Sequence, residues 1–189
     1  MEITLLGVAW VIYFFIHSFL ASNKIKAIIQ TKIPAYFRFY RVFYNLIALA
    51  GLIPLLFQSI VSPDAFLFSS TNIQLIGIVL MLIGCLFLYL AFKTFDTSEF
   101  LGFKAESKAQ LVQTGMYQYV RHPLYFATII LILGLFLILP TQKMLLVLVI
   151  SYVYILVGYR LEEQKLILLF GPEYINYQKR VKALLPFLY

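Results

Sequence analysis

The sequence predicts an all-α integral membrane protein: five transmembrane helices with a cytoplasmic C-terminal amphipathic helix. Three observations predict this. Of 189 residues, 62% are hydrophobic and only 12% charged, against about 25% charged in a soluble domain, so a soluble surface is excluded. Five apolar runs of roughly 16–20 residues follow one another, near the ~20 residues a helix needs to span a bilayer. The cations are also segregated, since 14 of the 15 Lys and Arg fall on one side of the resulting topology.

The first span is Ile3–Leu20, uncharged and carrying His17 near its inner end. It lacks a basic leader and a small-residue cleavage site, so it is expected to be a retained helix. The second is Val42–Val61, with Pro54 as an expected kink, and the third is Ile73–Phe92. Leu124–Leu139 and Met144–Tyr159 form a helical hairpin around Pro140–Lys143. Pro123 suits a first helical position, and Lys143 and Arg160 extend the short hairpin by snorkelling. Arg160–Phe170 continues the fifth span into the cytoplasm until Gly171-Pro172 ends it. From Glu173, apolar Tyr174, Tyr177, Val181 and Leu184 recur at helical spacing among Lys179, Arg180 and Lys182. That is an amphipathic helix lying on the membrane or capping the bundle.

Lys24, Lys26, Lys32, Arg38 and Arg41 separate spans one and two. Lys93, Lys104, Lys108 and Arg121 separate spans three and four, and five cations follow span five; only Lys143 lies opposite. The positive-inside rule places the N-terminus outside and the C-terminus in the cytoplasm, as expected of a bacterial inner-membrane protein. The net charge of +7 therefore reads as topology and contact with membrane lipids, not nucleic acid. The chain is expected to be one membrane domain over 1–189, with three spans in 1–92 and the loop, hairpin and tail in 93–189. Cys85 is the single cysteine, so no intrachain disulfide forms. Two histidines without clustered cysteines do not supply the four ligands of a closed metal site.

The polar residues gather at the cytoplasmic ends. Arg121-His122-Pro123 opens the fourth span, where free N–H groups and the helix dipole favour an anion or polar ligand; a snorkelling arginine beside an interfacial histidine accounts for it equally. Glu162 and Glu163 follow the fifth span. Neighbours on a helix point about 100° apart, so the two carboxylates are expected to take different partners, one meeting Arg121 or His122 and the other a ligand ammonium. A solvated helix exit is the alternative. His17 is an intramembrane ionisable residue and a functional candidate. With Tyr117, Tyr119, Tyr125, Tyr174 and Tyr177 nearby in the pattern, these groups suit a zwitterionic, aromatic, positively charged ligand, because aromatic faces attract cations such as a sulfonium. S-adenosylmethionine is compatible with that description.

Over Gly115–Phe187, the ordered pieces "GMYQYVRHPLY" and "EEQKLILLFGPEYINYQKRVKALLPF" resemble the isoprenylcysteine carboxyl methyltransferase and phospholipid methyltransferase superfamily. "HSFLASNKIK", "FYRVFYNLIAL" and "DTSEFLGF" (Asp96–Phe103) are similar to its bacterial branch of NnrU-like proteins and methanethiol S-methyltransferases. The resemblance implies S-adenosylmethionine as methyl donor, bound by Tyr117, Val120, Arg121, His122, Pro123, Tyr125, Glu162, Glu163 and Tyr174. It makes Arg160 the candidate for orienting an acceptor, and His17 is the candidate base. A small lipophilic acceptor is expected, with a thiol favoured over a prenylcysteine carboxylate or a phospholipid amine. A non-catalytic membrane accessory or transport protein is the rival of another class.

Overall fold

A computed structural model describes residues 1–62, 64–94 and 110–184. Asp96, Glu99 and Glu106 of the cytoplasmic loop, the Asp96–Phe103 stretch and the Leu185-Pro186-Phe187 end of the family pattern lie outside the described residues. Seven α-helices form among them: α1 (Ile3–Ala21), α2 (Asn23–Lys32), α3 (Pro34–Val61), α4 (Thr71–Lys93), α5 (Pro123–Ile138), α6 (Gln142–Phe170) and α7 (Pro172–Arg180). A single 3-10 turn, Gly115–Gln118, precedes α5. No strand forms among the described residues; two isolated β-bridges tie extended segments together.

Among the described residues four helices are long and apolar enough to cross a membrane: α1, the Phe39–Val61 part of α3, α4 and α6. The chain is thus an integral membrane protein. At 16 residues, α5 is shorter. Large side chains such as Phe15, Phe57 and Leu82 are more than 60% exposed on these helices, as lipid-facing residues are.

Three boundaries differ from the sequence expectation. The basic stretch after α1 is a helix of its own, because the Ser22 hydroxyl accepts from the Ile25 N–H and caps α2. Ile33, the residue before Pro34, leaves the helical region, and Pro34 restarts the chain as α3, eight residues ahead of the expected Val42. Pro54 lies within α3, which continues through it. At the other end the tail helix stops at Arg180, since Val181 is extended (φ −119°, ψ 137°); Val181 and Leu184 do not share its face.

The chain divides into two compact units, one built from residues up to 64 and the other from residues 65–94 and 110–184. The division falls ahead of α4, so this helix groups with the hairpin. In the first unit α1 packs on α3 with Leu6 and Trp10 buried. The Trp10 indole donates to Ser59 Oγ at 3.2 Å, and that hydroxyl donates to the Leu55 carbonyl, so a buried polar pair is fully satisfied. The Tyr40 hydroxyl donates to the Leu20 carbonyl at 2.9 Å and ties α3 to the end of α1.

In the second unit α4 and α5 approach closely through glycines. A methyl added at Gly77 would come within 2.7 Å of the Gly134 carbonyl, and one at Gly134 within 2.8 Å of the Gly77 carbonyl. Small residues let apolar helices reach this separation, where dispersion and not hydrophobic exclusion holds them together. α5 and α6 then form the expected hairpin. The Thr141 hydroxyl caps α6 by accepting from the Met144 N–H, and the Leu67 N–H donates to the Pro140 carbonyl at the hairpin turn. Gly171, at φ +56°, links α6 to α7. No heavy atom stands within 4 Å of a Cβ there, so the left-handed backbone alone calls for glycine.

Candidate active site

The site is assembled by an unusual junction, in which the backbone after α7 pairs with the residues before α5. The Arg121 N–H donates to the Lys182 carbonyl at 2.8 Å and the His122 N–H to the Ala183 carbonyl at 3.1 Å. Val120, opposite Lys182 in this bridge, is fully buried. The tail thereby satisfies backbone groups that the start of α5 would leave open, and the burial of Val120, Ala183 and Leu184 closes the junction with apolar contact.

Glu163 is the hub of the cluster beneath. Its Oε1 accepts from Arg121 Nε at 2.7 Å and lies 2.5 Å from Arg121 Nη2. The same oxygen lies 3.4 Å from His122 Nε2 and from the Tyr174 hydroxyl. Arg121 Nη1 turns the other way and donates to the carbonyls of Gln178 and Val181. One guanidinium thus joins α6, the end of α7 and the paired tail. His122 is 5% exposed, with its ring 5.6 Å from that of Tyr125 and 5.7 Å from that of Tyr159.

Glu162 has a different environment. Its side chain is 45% exposed, against 15% for Glu163, and its Oε2 lies 3.9 Å from His122 Nδ1. Its charge is felt at Tyr125 and at Tyr117. Burial, then the Glu162 carboxylate, then Tyr177 push the Tyr117 hydroxyl above the ordinary phenol range. Burial also raises Tyr174, with Glu163 reinforcing and Arg121 opposing. Tyr177 is pushed up to about 12, again by burial, against the pull of Arg121 and Arg180. These phenols stay protonated at neutral pH and act as hydrogen-bond donors.

The sequence-predicted residues Tyr117, Val120, Arg121, His122, Pro123, Tyr125, Glu162, Glu163 and Tyr174 all lie in the second unit. Contacts join Arg121, His122, Glu162, Glu163, Tyr125 and Tyr174 directly. Arg160 is exposed on α6, its guanidinium 6.0 Å from the Tyr159 ring. His17 belongs to the first unit, where its ring lies 6.3 Å from that of Tyr13.

Three contributors stand outside the predicted site residues. Tyr177, one aromatic among several in the pattern, donates its hydroxyl to the Tyr117 carbonyl and fixes the 3-10 turn. Gln113 bridges α7 by donating to Glu173 at 3.2 Å and accepting from Arg180 at 2.9 Å. Gly115, at φ +59°, starts the turn against Thr94, whose hydroxyl oxygen would be 2.6 Å from an added methyl. The "TG" before an aromatic turn is the available signal for the last. Nearby, Leu90, Lys93, Thr94, Thr114, Gly115, Met116, Gln118 and Tyr119 line an open cleft of about 490 Å³. Neither glutamate is among its walls.

The adjacent carboxylates Glu162 and Glu163 thus lie on α6, one of the helices long and apolar enough to cross a membrane, with Glu163 tied through Arg121 to the tail. Residues 73–173 match the phospholipid methyltransferase family, and the chain belongs to that family. It is 34% identical to the methanethiol S-methyltransferase of Crocosphaera subtropica over 99 residues, 50% of this chain and 34% of the relative. It is 41% identical to methanethiol S-methyltransferase 1 of Bradyrhizobium diazoefficiens over 71 residues, 38% of this chain and 24% of that protein. The same identity holds over 73 residues with the methanethiol S-methyltransferase of Pseudomonas deceptionensis, 38% of this chain and 26% of the relative. The matches thus span between about a quarter and a third of the relatives' lengths.

Proposed function

We propose that the protein is an S-adenosylmethionine-dependent methyltransferase acting on a small or lipophilic acceptor, with a thiol favoured. The observation that carries this reading is the division of labour between the paired glutamates. Glu163 is neutralised inside the protein by Arg121, whereas Glu162 is half exposed beside two tyrosines. A carboxylate flanked by phenols fits a ligand that carries an ammonium and a sulfonium, since it offers charge-assisted acceptance and aromatic faces together.

Glu162 would hold the ammonium, with the Tyr117 and Tyr125 hydroxyls as neighbouring donors. Arg121, His122, Glu163 and Tyr174 would fix the wall against which they stand, and Val120 and Pro123, both buried, would exclude water from it. When bound, the donor supplies a sulfonium methyl open to in-line attack by a nucleophile. The chain's contribution to rate is then alignment in a site shielded from solvent. His17 is assigned the proton taken from the acceptor, which for a thiol yields the reactive thiolate, and Arg160 the orientation of its polar end. The thiol is favoured because relatives that match this chain are named for methanethiol. A neutral thiol also enters an apolar region without the desolvation cost of a charge.

The deciding assay is labelled donor with a panel of small thiols, prenylcysteine-like acids and amino lipids. Thiols are expected to be methylated fastest, and His17→Ala to lower turnover more than donor affinity. Activity confined to amino lipids would remove the thiol assignment, and full turnover in His17→Ala would remove the base.

The proposal includes five spans, with α5 crossing as half of the hairpin. At 1.5 Å per residue, α6 is about 43 Å long, more than the ~30 Å hydrocarbon core, so its end from Arg160 stands in the cytoplasm with the tail. Reporters fused after Tyr189 are expected to read cytoplasmic, and one at Asp64 external, as in a bacterial inner membrane. A cytoplasmic signal at Asp64 rules out this arrangement.

A further inference from the structure

Several glycines inside the helices of this protein are closely packed. At Gly51, Gly77, Gly84 and Gly134 an added methyl would come within 2.7–2.9 Å of a neighbour, so close packing accounts for the missing side chain. Gly158, in the middle of α6, is different. Among the described residues a methyl there would meet one heavy atom within 4 Å, the Tyr125 hydroxyl at 3.8 Å, which is ordinary contact. Glycine in a helix interior weakens the helix relative to alanine. Neither packing nor a left-handed backbone offsets that loss at Gly158.

Its position supplies the reason. Gly158 stands one helical turn before Glu162, so the two share a face of α6, and the Tyr125 hydroxyl reaches both. The open space beside Gly158 therefore adjoins the half-exposed carboxylate on one side and the apolar hairpin on the other. Among the described residues its polar boundaries include a phenol and a carboxylate. An acceptor bearing its own carboxylate would face a like charge there, whereas an uncharged group would not.

We infer that Gly158 is a specificity-determining residue: its missing side chain keeps open the space beside Tyr125 in which the methyl acceptor is seated, and limits that acceptor to a small, uncharged nucleophile such as a thiol. The inference rests on the donor site proposed above.

The test compares the parent protein, Gly158→Ala and Gly158→Val, each full length in detergent. Three quantities are measured: the thermal midpoint, the affinity for S-adenosylmethionine, and KM and kcat for ethanethiol, hexanethiol and dodecanethiol. Gly158→Ala is expected to unfold at the same or a higher temperature and to bind the donor within twofold of the parent. Its KM should rise at least fivefold for the longer thiols and less for ethanethiol, with Gly158→Val extending the same trend. The alanine protein alone decides the outcome if the valine protein fails to fold. Unchanged KM across the series, or a rise independent of thiol size, overturns the inference and leaves the donor site standing. Donor binding without turnover of any thiol does the same. A parent protein that binds no S-adenosylmethionine overturns both.

Discussion

Glu163→Gln is expected to destabilise the protein by about 3 kcal/mol, measured by denaturant unfolding in detergent. The figure is the lower end of the cost of breaking a buried ion pair by removing one partner. Arg121, whose side chain is 9% exposed, would lose its Glu163 counter-charge, while His122 and Tyr174 would lose their shared anionic acceptor. The damage should propagate to the tail, because the same guanidinium holds the carbonyls of Gln178 and Val181. Replacing both partners, as in Arg121→Met with Glu163→Gln, is expected to recover part of the loss, because no isolated charge is then buried. A loss below about 1 kcal/mol in the single variant, in the range of a surface pair, would show that the cluster does not hold the junction.

Glu162→Gln, one residue away, is expected to do the opposite. Its carboxylate is half exposed, so stability should be unchanged within error. Donor affinity should fall at least tenfold, equivalent to about 1.4 kcal/mol, because a hydrogen bond to a charged group contributes about 1.5–3 kcal/mol. Titration calorimetry with S-adenosylmethionine checks the affinity, and a thermal scan without ligand checks the fold. Equal affinities in the variant and the parent would take Glu162 out of the donor site. The pair of variants matters more than either alone, since two adjacent carboxylates then report separately on folding and on binding.

The spans are readable because lipid imposes a length and a polarity that composition records directly. Ile3–Ala21, Thr71–Lys93 and the hairpin emerge within a few residues of their expected bounds. The split of roles between Glu162 and Glu163 is half readable. Helix geometry requires that they diverge, but which one turns inward depends on where Arg121 stands, and that is set by the backbone bridge from Val120 to Lys182, far along the sequence. A backbone pairing of this kind leaves no periodic trace. The helical spacing of Tyr174, Tyr177, Val181 and Leu184 points past the true end of α7, because Ala183 and Leu184 are apolar for another reason: they seal the junction with Val120. α2 is hidden for the converse reason, since its lysines mark the membrane side without revealing that Ser22 and Pro34 punctuate a helix between them.

The bridge from Val120–His122 to Lys182–Ala183 also sets an order of events during synthesis. All the apolar helices precede Lys182 in the chain, so they leave the ribosome and enter the bilayer before the residues that lock Arg121 exist. Until then the guanidinium lacks its Gln178 and Val181 carbonyls, and Glu163 lacks the Tyr174 hydroxyl. Insertion and activation are therefore separate steps: the membrane-embedded part can be in place while the chemistry is still unassembled, and the tail acts as the closing stitch. A nascent or truncated chain would occupy the bilayer without the Arg121 cluster assembled, until synthesis has passed Ala183.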